Sequence, residues 1–202
     1  MKLAITGGVA SGKSTVLRIF RESGAFAISA DEISRRLTAP GGPLTIKIIE
    51  QLGPQYAAPS SPQTIDRARL GRDVFHDKSL RERLEALTHP PIVAEMRRLM
   101  EDALSNGSNE LVAVEVPLLY EAGLQDMFDK VLVVWCDPET QFSRLKSRLP
   151  GLSDNELSER TQSQIPLDEK RGRADYVIDS GKPSDEMEHN VRSLYDSLKV
   201  AR

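Results

Sequence analysis

The chain has 202 residues, 39% hydrophobic and 28% charged, enough for one globular domain with a sizeable core and an inserted subdomain. Its 27 Lys and Arg are offset by 30 Asp and Glu, for a formal net charge of -3, so the basic excess of a nucleic-acid binder is absent. One cysteine, Cys136, excludes an intramolecular disulfide, and no segment approaches the ~18 apolar residues of a membrane span.

Residues 3–6 read as a first strand, opening the chain without room for a signal peptide, so a cytoplasmic protein is expected. A glycine-rich turn follows, then a helix that places Val16, Ile19 and Phe20 on one face and stops at Gly24. Residues 25–29 form a second strand that delivers Asp31 just past its end. The interval 38–107 carries no strand signal. It has turn punctuation at Pro40-Gly41-Gly42-Pro43 and Pro59-Ser60-Ser61-Pro62, and a capping box of Ser79 with Glu82. His89 precedes Pro90-Pro91, where the chain is expected to leave the helix. Ile92, Met96, Leu99, Met100 and Ala103 then make a helical stripe ending at Asn106-Gly107. Asn106-Gly107-Ser108 matches a glycosylation sequon by its letters only.

Strand runs resume at 111–116, 131–136 and 176–178. Asp137-Pro138 opens a helix through Arg148, Pro150-Gly151 breaks it, and Ser153 with Glu156 caps the next. In the final stretch Met187, Val191, Leu194 and Leu198 share a face. Short strands alternating with amphipathic helices predict an α/β fold with a five-stranded parallel sheet flanked by helices. The expected organisation is a core over about 1–37, 108–137 and 172–202, a helical acceptor subdomain over 38–107 and a helical lid over 138–171.

Gly7-Gly8-Val9-Ala10-Ser11-Gly12-Lys13-Ser14-Thr15 fits G-x-x-x-x-G-K-[ST] directly after a strand and before a helix, the context this phosphate-binding loop requires. Glycines let the backbone approach phosphate oxygens, and the N–H groups of residues 8–15 with the helix N-terminus beneath them form an anion site. Lys13 carries charge to the β- and γ-phosphates, Ser14 offers a hydroxyl to Mg²⁺, and Thr15 contacts nearby phosphate. ATP and Mg²⁺ are the expected ligands of a P-loop NTPase fold. The guanine-reading N-K-x-D segment of GTP switches is absent. Glu115, ending the third predicted strand, is either a second support for the metal or a solvent-facing strand end.

Later segments resemble the dephospho-coenzyme A kinase family in its order and spacing: Ser29-Ala30-Asp31-Glu32-Ile33-Ser34-Arg35, Leu87-Thr88-His89-Pro90-Pro91-Ile92, Val116-Pro117-Leu118-Leu119-Tyr120-Glu121, and Gln164, Lys170 and Ala174-Asp175-Tyr176-Val177-Ile178-Asp179. Ser29 departs from that pattern, which has an aspartate there, and Leu149-Pro150-Gly151 lengthens the turn after the lid helix. The resemblance implies phosphorylation of dephospho-coenzyme A by ATP, with the ribose 3′-hydroxyl as acceptor. It makes Asp31 the candidate base, with capping of the following helix as the plainer alternative. Arg35 either holds substrate phosphate or pairs with Glu32. Arg144 and Arg148, four apart on one helix, close over the transferring phosphate or form a solvated basic face. His89 is read as a substrate contact or a structural residue; Leu118, Tyr120 and Glu121 are expected to line the acceptor pocket, and Asp179-Ser180-Gly181 to approach the adenine. The rival readings are another small-molecule P-loop kinase, acting on a nucleoside monophosphate or a sugar-like acid, and a nucleotide sensor without turnover. The expected partner is a small molecule, with no nucleic acid and no membrane, and the sequence sets no oligomeric state.

Overall fold

The computed structural model describes residues 1–105 and 109–200. The sequon at 106–108 and the expected helix end at Asn106-Gly107 lie outside the described residues. The chain divides into two compact units, Met1–Ser29 with Met100–Arg202, and Ala30–Leu99.

The first unit is built on a parallel sheet. Its strands are β1 (Lys2–Gly7), β2 (Phe26–Ser29), β5 (Val112–Glu115), β6 (Lys130–Trp135) and β7 (Tyr176–Asp179), in the spatial order β2-β5-β1-β6-β7. All four pairings are parallel. β1 lies at the centre, and its apolar run has no polar face because helices cover both sides of such a sheet. Leu3, Ile5, Leu132, Val134 and Ile178 share one core cluster with Val16, Ile19 and Phe20 of α1 (Lys13–Glu22) and with Met187, Val191, Tyr195 and Leu198 of α9 (Ser184–Val200). Each expected strand and both of these helices are found. α1 ends as its sequence foretells: Gly24 has φ 103°, and the N–H of Ala25 bonds back to the Phe20 carbonyl at 3.0 Å, a glycine-dependent stop. α6 (Pro138–Arg148) is capped by Asp137, whose carboxylate accepts from the Thr140 N–H. α7 (Asp154–Gln162) starts in the expected capping box of Ser153 and Glu156, and a short α8 (Leu167–Gly172) follows. Among the described residues no helix is long and apolar enough to cross a membrane.

The second unit holds α2 (Ala30–Leu37), α3 (Pro43–Leu52), α4 (Arg67–His76) and most of α5 (Lys78–Ser105). Leu44, Ile48, Leu52, Tyr56, Ile65, Leu70 and Leu80 form its core. Three expectations are corrected here. A small antiparallel pair, β3 (Ala57–Ala58) with β4 (Ser61–Ile65), occupies the interval read as lacking strands. β4 escaped notice because Ser-Pro-Gln-Thr-Ile buries only Ile65 and so shows no apolar alternation. The cap of α5 is Asp77, whose Oδ1 accepts from the Leu80 N–H at 3.0 Å, and not Ser79, which lies inside the first turn. The helix also does not end at His89: α5 runs through Pro90 and Pro91. Two prolines remove the N–H groups that would bond the carbonyls of Ala86 and Leu87, and the helix absorbs that loss within a length of 28 residues.

Candidate active site

The phosphate-binding loop lies between β1 and α1 and is shaped by steric need. A Cβ on Gly7 would collide with the Val134 carbonyl of the neighbouring strand, and Gly12, at φ 91°, precedes the first turn of α1 in a left-handed conformation. Lys13 is buried, its ammonium resting on the carbonyls of Gly8 at 2.7 Å and Gly7 at 3.4 Å. Ser14 and Thr15 are exposed at the head of α1. Ser11 is buried; its carbonyl accepts from the Ser180 hydroxyl at 2.7 Å, while its own Oγ has no hydrogen-bond partner.

The structure brings together the two residues expected at the metal. Ser14 Oγ donates to Glu115 Oε1 at 3.3 Å, and Glu115 is only 6% exposed at the end of β5. Glu115 stands in register with Ile5 of β1 and Ser29 of β2, and Asp31 follows Ser29 by two residues in the chain. A hydroxyl and a carboxylate are hard oxygen donors that suit Mg²⁺, a cation that leaves the rest of its octahedron to phosphate and water. Among the described residues no group of three or more His, Cys, Asp and Glu side chains could hold a metal.

On the β7 side, Arg144 of α6 donates to Ser180 Oγ at 3.0 Å and to the Ser180 carbonyl at 2.7 Å. Gly12, Thr15, Arg144, Ser180, Lys182, Ser184 and Met187 line a cavity of 410 Å³ at the head of α1. Arg148 is the exposed last residue of α6, one turn beyond Arg144 on the same face. Cys136 is buried beside this wall. Burial pushes its thiol above the ordinary value, with the Arg144 charge pulling the other way.

The segment after β5 carries the three residues expected to line the acceptor pocket. Leu118 is exposed, as a pocket wall requires. Tyr120 donates its hydroxyl to the Arg173 carbonyl at 3.1 Å and stacks under the Arg173 guanidinium, and partial burial raises its phenol. Glu121, read as lining the acceptor pocket, turns its carboxylate to the fully buried Lys170 at 2.7 Å and to the Ile165 N–H at 3.0 Å. Its visible task is to hold the chain between α7 and α8. In the second unit, Asp31 and Arg35 lie four apart and exposed on α2, and His89 is exposed on α5.

Two residues near the loop were not singled out as site residues. Gln141 donates to the Val9 carbonyl and Gln164 accepts from the Val9 N–H, each at 2.9 Å. Gln141 shares the helical face of Arg144 and Arg148 at spacings of three and four, a signal that was present in the sequence. Lys182 follows β7 with no local pattern to mark it.

Comparison with known proteins adds descent to this geometry. The dephospho-CoA kinase family profile matches residues 1–186. A dephospho-CoA kinase of Symbiobacterium thermophilum is 42% identical over 96% of this chain and 79% of its own length. That of Geobacter metallireducens is 40% identical over 96% of this chain and 94% of its own. Among solved structures, TT1252 from Thermus thermophilus superposes with a TM-score of 0.79 at 31% identity, covering 100% of this chain and 98% of that one. Dephospho-CoA kinase from Campylobacter jejuni gives 0.72 at 29% identity, covering 99% and 98%.

Proposed function

The chain belongs to the dephospho-CoA kinase family, and from that premise we propose that it is a cytoplasmic enzyme that transfers the γ-phosphoryl group of ATP to the ribose 3′-hydroxyl of dephospho-coenzyme A, yielding coenzyme A and ADP in the last step of coenzyme A synthesis. The observation that carries this reading is the Ser14–Glu115 pair at the head of an intact phosphate loop, in a chain that follows the family from residue 1 to 186.

The loop between β1 and α1 receives the phosphates of ATP at backbone N–H groups other than that of Val9, which Gln164 holds, and the cavity walled by Arg144, Ser180 and Lys182 receives its adenosine end. Lys13 leaves the Gly7 and Gly8 carbonyls, on which it now rests, for the β- and γ-phosphates. Ser14 and Glu115 hold Mg²⁺, which when bound neutralises charge on the β- and γ-phosphates. The new bond joins the 3′-oxygen to the γ-phosphorus as the bond to the β–γ bridging oxygen breaks. In a loose transition state the hydroxyl becomes acidic only as its bond to phosphorus forms. Asp31 therefore orients the hydroxyl and takes its proton late. Arg148, on the exposed end of α6, closes over the transferring group. Arg35 and His89 serve the acceptor's phosphates, and Leu118 and Tyr120 its pantetheine arm.

A coupled ADP-release assay with Mg-ATP tests the reading, comparing dephospho-coenzyme A with nucleoside monophosphates and shikimate-like acids. Turnover confined to dephospho-coenzyme A is expected. Turnover only with another acceptor would discard the acceptor and keep the kinase, and nucleotide binding without any turnover would make the protein a sensor.

A further inference from the structure

Two glutamines outside the loop motif grip one residue inside it. Gln164, from the link between α7 and α8, accepts from the Val9 N–H, and Gln141, on α6, donates to the Val9 carbonyl, both at 2.9 Å. Val9 is thus fixed at both of its peptide groups by side chains 155 and 132 residues away. A Cβ on Gly8 would meet Gln141 Nε2 and displace that amide from the grip. Gln164 is itself anchored through its neighbour, for the Ile165 N–H donates to Glu121, which Lys170 holds from the other side.

The next residue, Ala10, has φ 59° and is the only non-glycine with a positive φ among the described residues. That left-handed conformation is disfavoured for alanine on the order of five- to thirtyfold in population. It is also the conformation that, alternated with right-handed residues, turns successive N–H groups inward to make an anion-binding nest. A loop left to itself would relax at Ala10 and lose the nest.

We infer that Gln141 and Gln164 are positioning residues which pin Val9 and so hold Ala10 left-handed, keeping the loop organised for phosphate before nucleotide arrives. The inference rests on the nucleotide site proposed above and not on the identity of the acceptor. It gives the segment from α6 to α8 a task inside the phosphate loop, beyond supplying arginines.

A double-mutant cycle on the full chain, read as ADP affinity by calorimetry with Mg²⁺, tests it. Gln164→Leu is expected to weaken ADP binding about five- to tenfold. Ala10→Gly removes the Cβ penalty at this φ, so adding Gln164→Leu to Ala10→Gly is expected to cost less than about twofold. An equal cost in both backgrounds would mean that Gln164 matters for general structure and not through Ala10, and overturns the inference. An ADP affinity within about twofold of the parent for Gln164→Leu, against the five- to tenfold loss, overturns it as well. Gln141→Leu cuts the other bond and carries the same expectations, so the cycle reads even if Gln164→Leu fails to fold by circular dichroism. A parent that binds ADP but leaves dephospho-coenzyme A untouched would refute the acceptor and leave this cycle standing. A parent that binds no ADP would refute the nucleotide site and this inference together.

Discussion

The ammonium of Lys170 is fully buried 2.7 Å from the carboxylate of Glu121, and it also donates to the Pro117 carbonyl at 3.2 Å. Glu121 completes its own coordination with the Ile165 N–H. The pair therefore joins α8 to the turn after β5 and fixes the segment that bears Gln164. A charge removed from water this completely is tolerable only while its partner is present.

Glu121→Ala strands that charge. The loss should be about 3 kcal/mol, near the lower bound for a broken buried pair because the Glu121 side chain keeps 19% of its surface exposed. In a chain of this length that lowers Tm by roughly 6–12 °C. Replacing both partners, Glu121→Leu with Lys170→Met, should recover most of the stability, since the desolvation cost leaves with the charges. Thermal unfolding followed by circular dichroism decides it; a double variant as unstable as Glu121→Ala would show that the hydrogen bonds outweigh the charge.

Lys13 and Asp31 should separate kinetically. Lys13→Ala removes a cation aimed at the phosphates and should lower kcat/KM for ATP by about 10²–10³. Asp31→Ala should lower kcat by about 10²–10⁴ while KM for ATP stays within about twofold. Steady-state kinetics with saturating acceptor measures both. An Asp31→Ala variant with unchanged kcat would leave Asp31 only its place in the first turn of α2.

Much of this was legible because it is local. The phosphate loop occupies consecutive residues, and the five parallel strands announce themselves as short apolar runs because both faces of the sheet are covered. β4 was illegible since its exposed residues outnumber its one buried isoleucine. The passage of α5 through Pro90-Pro91 was illegible because proline rules describe local cost, which surrounding structure can outweigh. The contact of Gln164 with Val9 and the Glu121–Lys170 pair are tertiary facts: no spacing in the sequence says that a side chain 155 residues on will meet the Val9 N–H. Sequence could nominate Glu121 for the site, but only packing reveals that Lys170 and Ile165 claim its carboxylate.

Glu115→Gln tests the metal site without disturbing the sheet. Glutamine keeps a carbonyl for the Ser14 hydroxyl to donate to, at the 3.3 Å now seen, but lacks the anionic charge. The Mg²⁺ concentration giving half-maximal rate should rise about 10–100-fold, with the rate partly restored at high Mg²⁺. Titration of the initial rate with MgCl₂ at fixed ATP measures this; an unshifted midpoint would remove Glu115 from the metal.

Asp175 supplies the pH-dependent prediction. Its carboxylate accepts from Lys130 Nζ and from the Val131 N–H, both at 2.8 Å, and the Lys130 bond is the leading cause that lowers its pKa against the opposing effect of burial. The same bond raises the pKa of Lys130. A depressed carboxylate stabilises the fold above its unfolded value of about 3.9 and loses that contribution as pH falls through the folded value. A raised ammonium stabilises below its unfolded value of about 10.4 and loses its contribution as pH climbs through the folded one. The pair's contribution therefore spans the interval between, and Asp175→Asn should remove it there. Urea unfolding from about pH 2.5 to 11 should show a stability gap between parent and variant that is flat near neutrality and closes at both ends. Because 35% of the Asp175 side chain is exposed, the gap is small and shrinks with salt. A gap that stays constant into acid would mean that the amide satisfies the Val131 N–H less well than the carboxylate does and that the charge contributes nothing.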